Sequence, residues 1–247
     1  MNKITIIKGE YLLEVAKGVI KQIEASKNDL SVNHLCIVPD RFSLITEKLV
    51  FEVLGISSTL NINVLGINKL AKQIIKQAGL NCLYISDEES KMLIRRAMQK
   101  TKKDFVCFSK TITYGVCEEV QKTLSQIKSS GVGVSAFEAI NVSEPGLCAK
   151  LHDLALIYAE YENLLGEKMD APQILNVFSA LIESQNFFEN TKFYFVGFDS
   201  LTSQGYEILK RLSKKSEVTI GVERLDEKET MEVKQQIDNS LEQTPEL

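Results

Sequence analysis

The stretch Phe193-Tyr194-Phe195-Val196-Gly197-Phe198-Asp199-Ser200 reads as a buried strand and a turn, with a helix opening at Thr202. A sheet that hydrolyses nucleotides needs two adjacent carboxylates where such a strand ends, to hold magnesium and to activate water. Val196 and Gly197 stand at those positions and can do neither. The other half of such a site is G-x-x-x-x-G-K-[ST] after the first strand, whose backbone N–H groups cradle phosphates. This chain has a single Gly9 there, followed by Glu10, whose charge repels phosphate. No catalytic residue and no cofactor are therefore expected in these 247 residues.

Other side chains leave two readings open. Arg41 follows Pro39-Asp40 at a strand's carboxyl end, and Lys69, Lys72 and Lys76 follow the third strand at helical spacing. Cations so placed could hold nucleic-acid phosphates, or could simply be solvated. Phe42 and Phe198 could stack on bases or serve as core. Asp199 could be a ligand or a turn and cap residue. His152-Asp153 reads as a helix-surface pair, because adjacent helical residues point in different directions. With only His34 and His152, and no C-x-x-C pair among Cys36, Cys82, Cys107, Cys117 and Cys148, no metal site is expected. Most of those cysteines are expected to be buried, reduced thiols.

The composition is that of a globular protein, 44% hydrophobic and 25% charged, with a formal charge of −4. No apolar run approaches the roughly 20 residues that span a bilayer, and no signal peptide is read at Met1, so no membrane role and a cytoplasmic location are expected. From Glu223 to Leu247 there are eight acids and three bases, which leaves the body near neutral.

Three strand–helix units are expected to position the strand-end residues. Strands at Ile4–Ile7, His34–Val38 and Leu60–Leu65 are each followed by a helix, from about Glu10, Phe42 to Leu54, and Asn68 to Gln77. From Ser86 to Ser184 the periodicity is helical only, with a capping box at Ser86-Asp87-Glu88-Glu89 and another cap at Asp170-Ala171-Pro172-Gln173. Strands return at Lys192–Phe198 and Glu217–Val222 around a helix from Thr202 to Leu212. This predicts an α/β fold, a parallel sheet of the P-loop-NTPase (RecA-like) kind with a roughly 100-residue all-helical insertion. The expected division is 1–80 with 186–222 for the sheet domain, 81–185 for the insertion, and 223–247 for an acidic tail.

Five ordered segments carry a resemblance to a known family. They are Ile37-Val38-Pro39-Asp40-Arg41-Phe42-Ser43 with Glu47, Val64-Leu65-Gly66-Ile67-Asn68-Lys69-Leu70-Ala71, and Lys91-Met92-Leu93-Ile94-Arg95-Arg96. The others are Lys150-Leu151-His152-Asp153-Leu154-Ala155-Leu156-Ile157-Tyr158, and Val196-Gly197-Phe198-Asp199-Ser200-Leu201-Thr202 with Tyr206-Glu207-Ile208-Leu209. Over about residues 3–222 this set resembles the amino-terminal region of AddB (RexB), the second subunit of the bacterial AddAB helicase–nuclease for double-strand breaks. The resemblance implies a superfamily 1 helicase-like domain that has lost motor function and lies along single-stranded DNA. It implies a heterodimer with an AddA-like motor subunit, and DNA-facing residues at Arg41, Phe42, Asn68, Lys69 and Lys72. The family often keeps the phosphate loop that is missing here, so ATP binding does not carry over. An aromatic residue usually stands where this chain has Lys72, which leaves only a phosphate contact there. The alternative is a scaffold that docks the motor subunit through its helical insertion without touching DNA. A third class, a nucleotide hydrolase with an unconventional loop, would require ATP turnover from the isolated chain.

Overall fold

A computed structural model describes residues 4–108, 111–140, 142–198 and 201–223. The chain divides into two compact units, residues 79–177 and the segments on either side of them.

The first unit holds a five-stranded sheet in the order β1-β5-β4-β2-β3, with every pairing parallel. Its strands are β1 (Ile4–Gly9), β2 (Asn33–Ile37), β3 (Ile62–Leu65), β4 (Thr191–Phe195) and β5 (Glu217–Glu223). Parallel strands buried on both faces require near-continuous apolar runs, and Phe193, Tyr194, Phe195 and Val196 are all buried. Successive side chains point to opposite faces. Tyr194 and Val196 join Cys36 and Val38 in a core with α1 (Leu12–Lys21) and α2 (Ser43–Leu54). Phe193 packs edge-on against Phe188, 5.0 Å between ring centroids, and Phe188 meets Phe178 at 6.3 Å. His34 is fully buried, 3.0 Å from the Tyr194 hydroxyl and 3.3 Å from the Ser26 carbonyl, and burial lowers its pKa.

Several boundaries move for visible reasons. The first helix begins at Leu12 rather than Glu10, whose amide donates to the Glu14 carboxylate. Residues 40–42 form a separate 3-10 turn ahead of α2. The third strand starts at Ile62 rather than Leu60, and just before it the Asn61 side-chain amide donates to the Asp29 and Val32 carbonyls. The fourth ends at Phe195 rather than Phe198, since Gly197 turns the chain at φ +80°. α3 (Ile67–Gln77) and α9 (Ser203–Lys215) complete this unit together with the end of α8 (Ala171–Ser184), and Thr202 caps α9 by accepting from the Gly205 amide.

The second unit is built of α4 (Asp87–Thr101), α5 (Tyr114–Ser129), the short α6 (Val134–Glu138), α7 (Pro145–Leu165) and the start of α8. Ser86 and Glu89 form the expected reciprocal capping box, and Asp170 and Gln173 form a second one. α6 was unforeseen: Gly133 caps it and contributes no side chain that would mark its start. Its Phe137 is buried against Tyr158 of α7. The two ends of the unit are tied where the Met169 amide donates to the Leu83 carbonyl (2.8 Å) and the Ile85 amide to the Met169 carbonyl (3.0 Å).

Candidate nucleic-acid interface

In an open parallel sheet, ligands bind beyond the strand carboxyl ends where the strand order reverses. After β2 the chain moves outward to β3, and after β4 it moves the other way to β5, so the reversal lies between β2 and β4. The loops there are Val38-Pro39-Asp40-Arg41-Phe42 and Val196-Gly197-Phe198.

These two loops interlock. The Phe42 amide donates to the Pro39 carbonyl (2.8 Å) and the Ser43 hydroxyl to that of Asp40 (2.9 Å), which closes the 3-10 turn. A Cβ added to Gly197 would lie 3.1 Å from the Phe42 ring, and its φ of +80° already disfavours any side chain. Arg41 is exposed, with its guanidinium carbon 4.8 Å from the Phe42 ring centroid. The Asp40 carboxylate reaches the loop after β3, where only a glycine at position 66 leaves it room.

Beyond Gly66, Lys69 and Lys72 are exposed on the first turns of α3, while the Asn68 Oδ1 is buried with no donor among the described residues. The expected DNA-facing residues thus fall into two openings. Phe42 lines an apolar cleft of about 210 Å³ with Leu12, Leu13, Ile45 and Val196. Lys69 lines a groove of about 420 Å³ along the free edge of β3, with Glu47, Phe51 and Asn63. Asp40 connects the two loops, but Phe42 and Lys69 do not share an opening. Phe198 is half-buried, 6.1 Å from Phe195, and Asp199 and Ser200 lie outside the described residues.

The loop after β1 is closed by a carboxylate of the chain itself. Glu14, on the first turn of α1, turns its carboxylate back to accept from the Glu10 amide at 3.2 Å. An anion from the chain itself therefore sits at the end of α1 where the helix dipole favours negative charge. No Cβ fits at Gly9, since it would lie 2.8 Å from Val15.

Two expectations from sequence need correction. Asp153 is not a helix-surface residue: it is fully buried and accepts from the amides of Val106, Cys107 and Phe108 at 2.7–2.8 Å. Burial raises its pKa, but the three amides and His152 outweigh this and hold it below the usual carboxylate range. The loop before α5 supplies three fixed donors in place of water, which sequence spacing does not reveal. The cysteines are all free, yet only Cys36 and Cys117 are buried, while Cys107 and Cys148 are exposed. They stand on exposed faces of segments that otherwise look apolar. Burial raises the Cys36 thiol to about 12.

The sequence reading also missed Lys128. It is buried on α5 with its ammonium 2.5 Å from both Glu162 and Asp170, and Asp170 also accepts from the Tyr161 hydroxyl (3.0 Å). Its signal was available: Val120, Leu124 and Lys128 share one helical stripe, so the lysine had to go where the leucine goes. Among the described residues no three His, Cys, Asp or Glu side chains cluster as a metal would require, and no helix is long and apolar enough to cross a membrane.

The family model described as "ADDB, N-terminal" matches residues 14–243, nearly the whole chain. The chain belongs to the AddB N-terminal family. Its relatives include the ATP-dependent helicase/deoxyribonuclease B-subunit of Lachnoclostridium phytofermentans, 26% identical over 81% of this chain and 18% of that protein. The protein of the same name from Caldanaerobacter subterraneus subsp. tengcongensis is 26% identical over 80% of this chain and 18% of its own. That from Listeria welshimeri is 28% identical over 78% and 17%. The AddB-type chain thus spans less than a fifth of the length of the curated relatives it matches.

Proposed function

We propose that this chain is a helicase-like domain without a working ATP site, which guides single-stranded DNA within a two-subunit helicase–nuclease acting in DNA break repair. In this reading the first unit is a RecA-like domain and residues 79–177 are its helical insertion. The observation that carries the reading is the pair of losses at one edge of the sheet. Glu14 occupies the anion position at the start of α1, and β4 ends in Val196-Gly197 without acids. A fold kept after both halves of an ATP site are gone has been kept for another task. The names of the relatives, each the B-subunit of a helicase/deoxyribonuclease, support DNA as the ligand and a motor protein as the partner. Arg41, Phe42, Asn68, Lys69 and Lys72 then face the strand, with the cations on phosphates and Phe42 against a base. No ATP turnover is expected from the chain alone.

Fluorescence anisotropy with labelled oligo(dT), at two salt concentrations, tests this. Salt-sensitive binding is expected. Its absence, both in the chain and in the assembled two-subunit enzyme on charge reversal of the site, would sink the DNA-guiding role. A scaffold reading has one observation in its favour: Met92, Val106 and Tyr114 of the second unit are 67–71% exposed, which suits docking to another protein. Charge reversal that leaves DNA affinity unchanged would favour it.

A further inference from the structure

The sheet ends at β3, and that edge lies open. The His34 amide donates to the Asn61 carbonyl at 2.7 Å and the Val38 amide to the Leu65 carbonyl at 3.2 Å, so the odd-numbered residues of β3 face β2. Strand alternation then turns the amides and carbonyls of Ile62 and Val64 away from the sheet. The Thr59 hydroxyl accepts from the Ile62 amide at 3.2 Å. The Ile62 carbonyl and both backbone groups of Val64 have no partner among the described residues. A groove of about 420 Å³ wraps this edge, within the size range of ligand clefts. Ile62 and Val64 turn their side chains toward the core with α1 and α2, and Val50 and the 38% exposed Phe51 line that side of the groove. Asn63 and Leu65 point to the other face. α3 lies on that face, because right-handed crossovers that move out to β3 and back to β4 use opposite faces, and it brings Lys69 and Gln73 into the lining.

The charges of the two walls select the occupant. α3 holds Lys69, Lys72 and Lys76 and no acid. On α2, Glu47 lines the groove, while Lys48 and Glu52 are exposed outside its lining. A second copy paired antiparallel along β3 would set the lysines of one α3 against those of the other, since a two-fold axis normal to the sheet keeps like faces together. Single-stranded DNA has no donor on its sugar-phosphate backbone to meet the two carbonyls of this edge. An extended peptide fits both. Its amides and carbonyls continue the ladder, and its side chains fall alternately on Val50 and Phe51 and on Lys69 and Gln73. The first set must be apolar, with Glu47 admitting a base at one end, and the second acidic.

We propose that the free edge of β3 docks an extended segment of a partner protein in which apolar residues alternate with acidic ones. This does not rest on the DNA-guiding reading; where both hold, Lys69 is shared and peptide and DNA compete for it.

Labelled decapeptides that alternate valine with glutamate, or valine with lysine, test this by anisotropy against the full 247-residue chain. The glutamate peptide is expected to bind about tenfold tighter at low salt. Lys69→Glu with Gln73→Glu, on an exposed helix face, should reverse that order. Methylating the backbone nitrogens of the glutamate peptide should abolish its binding, because ladder donors are lost while charge and side chains stay. Amide hydrogen exchange at Val64, followed by NMR, should slow by about tenfold at saturation. Failure of both peptides to bind, equal affinity for the two, or binding without protection of Val64 overturns the proposal. Protection of Val64 by oligo(dT) and by neither peptide gives the edge to DNA, and protection that comes with a doubled mass in light scattering gives it to a second copy; each overturns it too. Peptide binding that survives when oligo(dT) does not bind upholds the docking edge and removes the DNA-guiding reading.

Discussion

The network around Lys128 in the second unit and the strand-end crevice of the first treat charged side chains in opposite ways. In the second unit, Lys128 of α5, Asp170 just before α8, Tyr161 of α7 and Ser90 of α4 form one buried hydrogen-bonded chain, which the part-buried Glu162 joins through Lys128. At the strand-end crevice of the first, Arg41, Lys69 and Lys72 are exposed, and what is partly buried is Phe42 and an apolar cleft. Charges taken out of water must be paired in fixed geometry, which suits a rigid part. Charges kept at the surface lose little hydration and can meet a polyanion. On the proposed reading the contrast separates residues that hold shape from residues that meet a ligand, and substitutions in both units grade it.

The largest effect is expected at Lys128. Lys128→Ala leaves Asp170 buried at 5% exposure without its ammonium partner, which destabilises by about 3–5 kcal/mol. Urea denaturation followed by circular dichroism measures this. Pairing it with Asp170→Leu should recover part of the loss, because the orphaned charge is then gone. A loss below about 1 kcal/mol in the single variant would mean that the network is wet and the contrast between the units false.

Asp153 is next. Asp153→Asn keeps the shape but removes the charge that three amides hold, and one amide then faces an N–H₂ donor; about 2–3 kcal/mol is expected. Its folded pKa is depressed, so its contribution is complete above the unfolded value of about 3.8 and is lost as pH falls below that. Denaturation between pH 2.5 and 6 should show a steeper acid loss for the native chain than for the variant. Parallel curves would remove the electrostatic account.

Gly197→Ala tests the crevice through its backbone. A positive φ and a ring 3.1 Å from the new Cβ together cost about 1–2 kcal/mol, and Phe42 must shift. Affinity for oligo(dT) should fall several-fold if Phe42 contacts a base. An unchanged melt would mean that the interlock of the two loops is loose.

Local chemistry made much of this legible in sequence. Ser86 with Glu89, Thr202, Gly55 and Gly166 each mark a helix end through a preference that operates within four residues. The parallel sheet followed from three strand–helix alternations. Long-range pairings were harder to read. Asp153 meets a loop 45–47 residues away, and Lys128 meets Asp170 42 residues away, so no periodicity in one helix announces either partner. After β1 the lack of a glycine-rich loop is plain in Gly9-Glu10, but the bond from the Glu10 amide to the Glu14 carboxylate depends on how α1 starts. Likewise, Arg41, Phe42, Lys69 and Lys72 could be placed near strand ends, but whether they share an opening is set by which side of β3 each helix covers.

That division between openings gives the smallest and most specific test. Lys69→Glu with Lys72→Glu changes two exposed helix-face residues, so stability should move by less than about 0.5 kcal/mol. DNA affinity should nevertheless fall, and its salt dependence with it: each phosphate contact on a single strand contributes about 0.7 to the slope of log K against log salt. Losing two should flatten the slope by about 1.4. Phe42→Leu, in the other opening, should weaken binding while leaving the slope unchanged, because stacking releases no counterions. If both variants flatten the slope, the two openings act as one surface. If neither does, the cations beside β3 hold no phosphate, and the strand runs elsewhere.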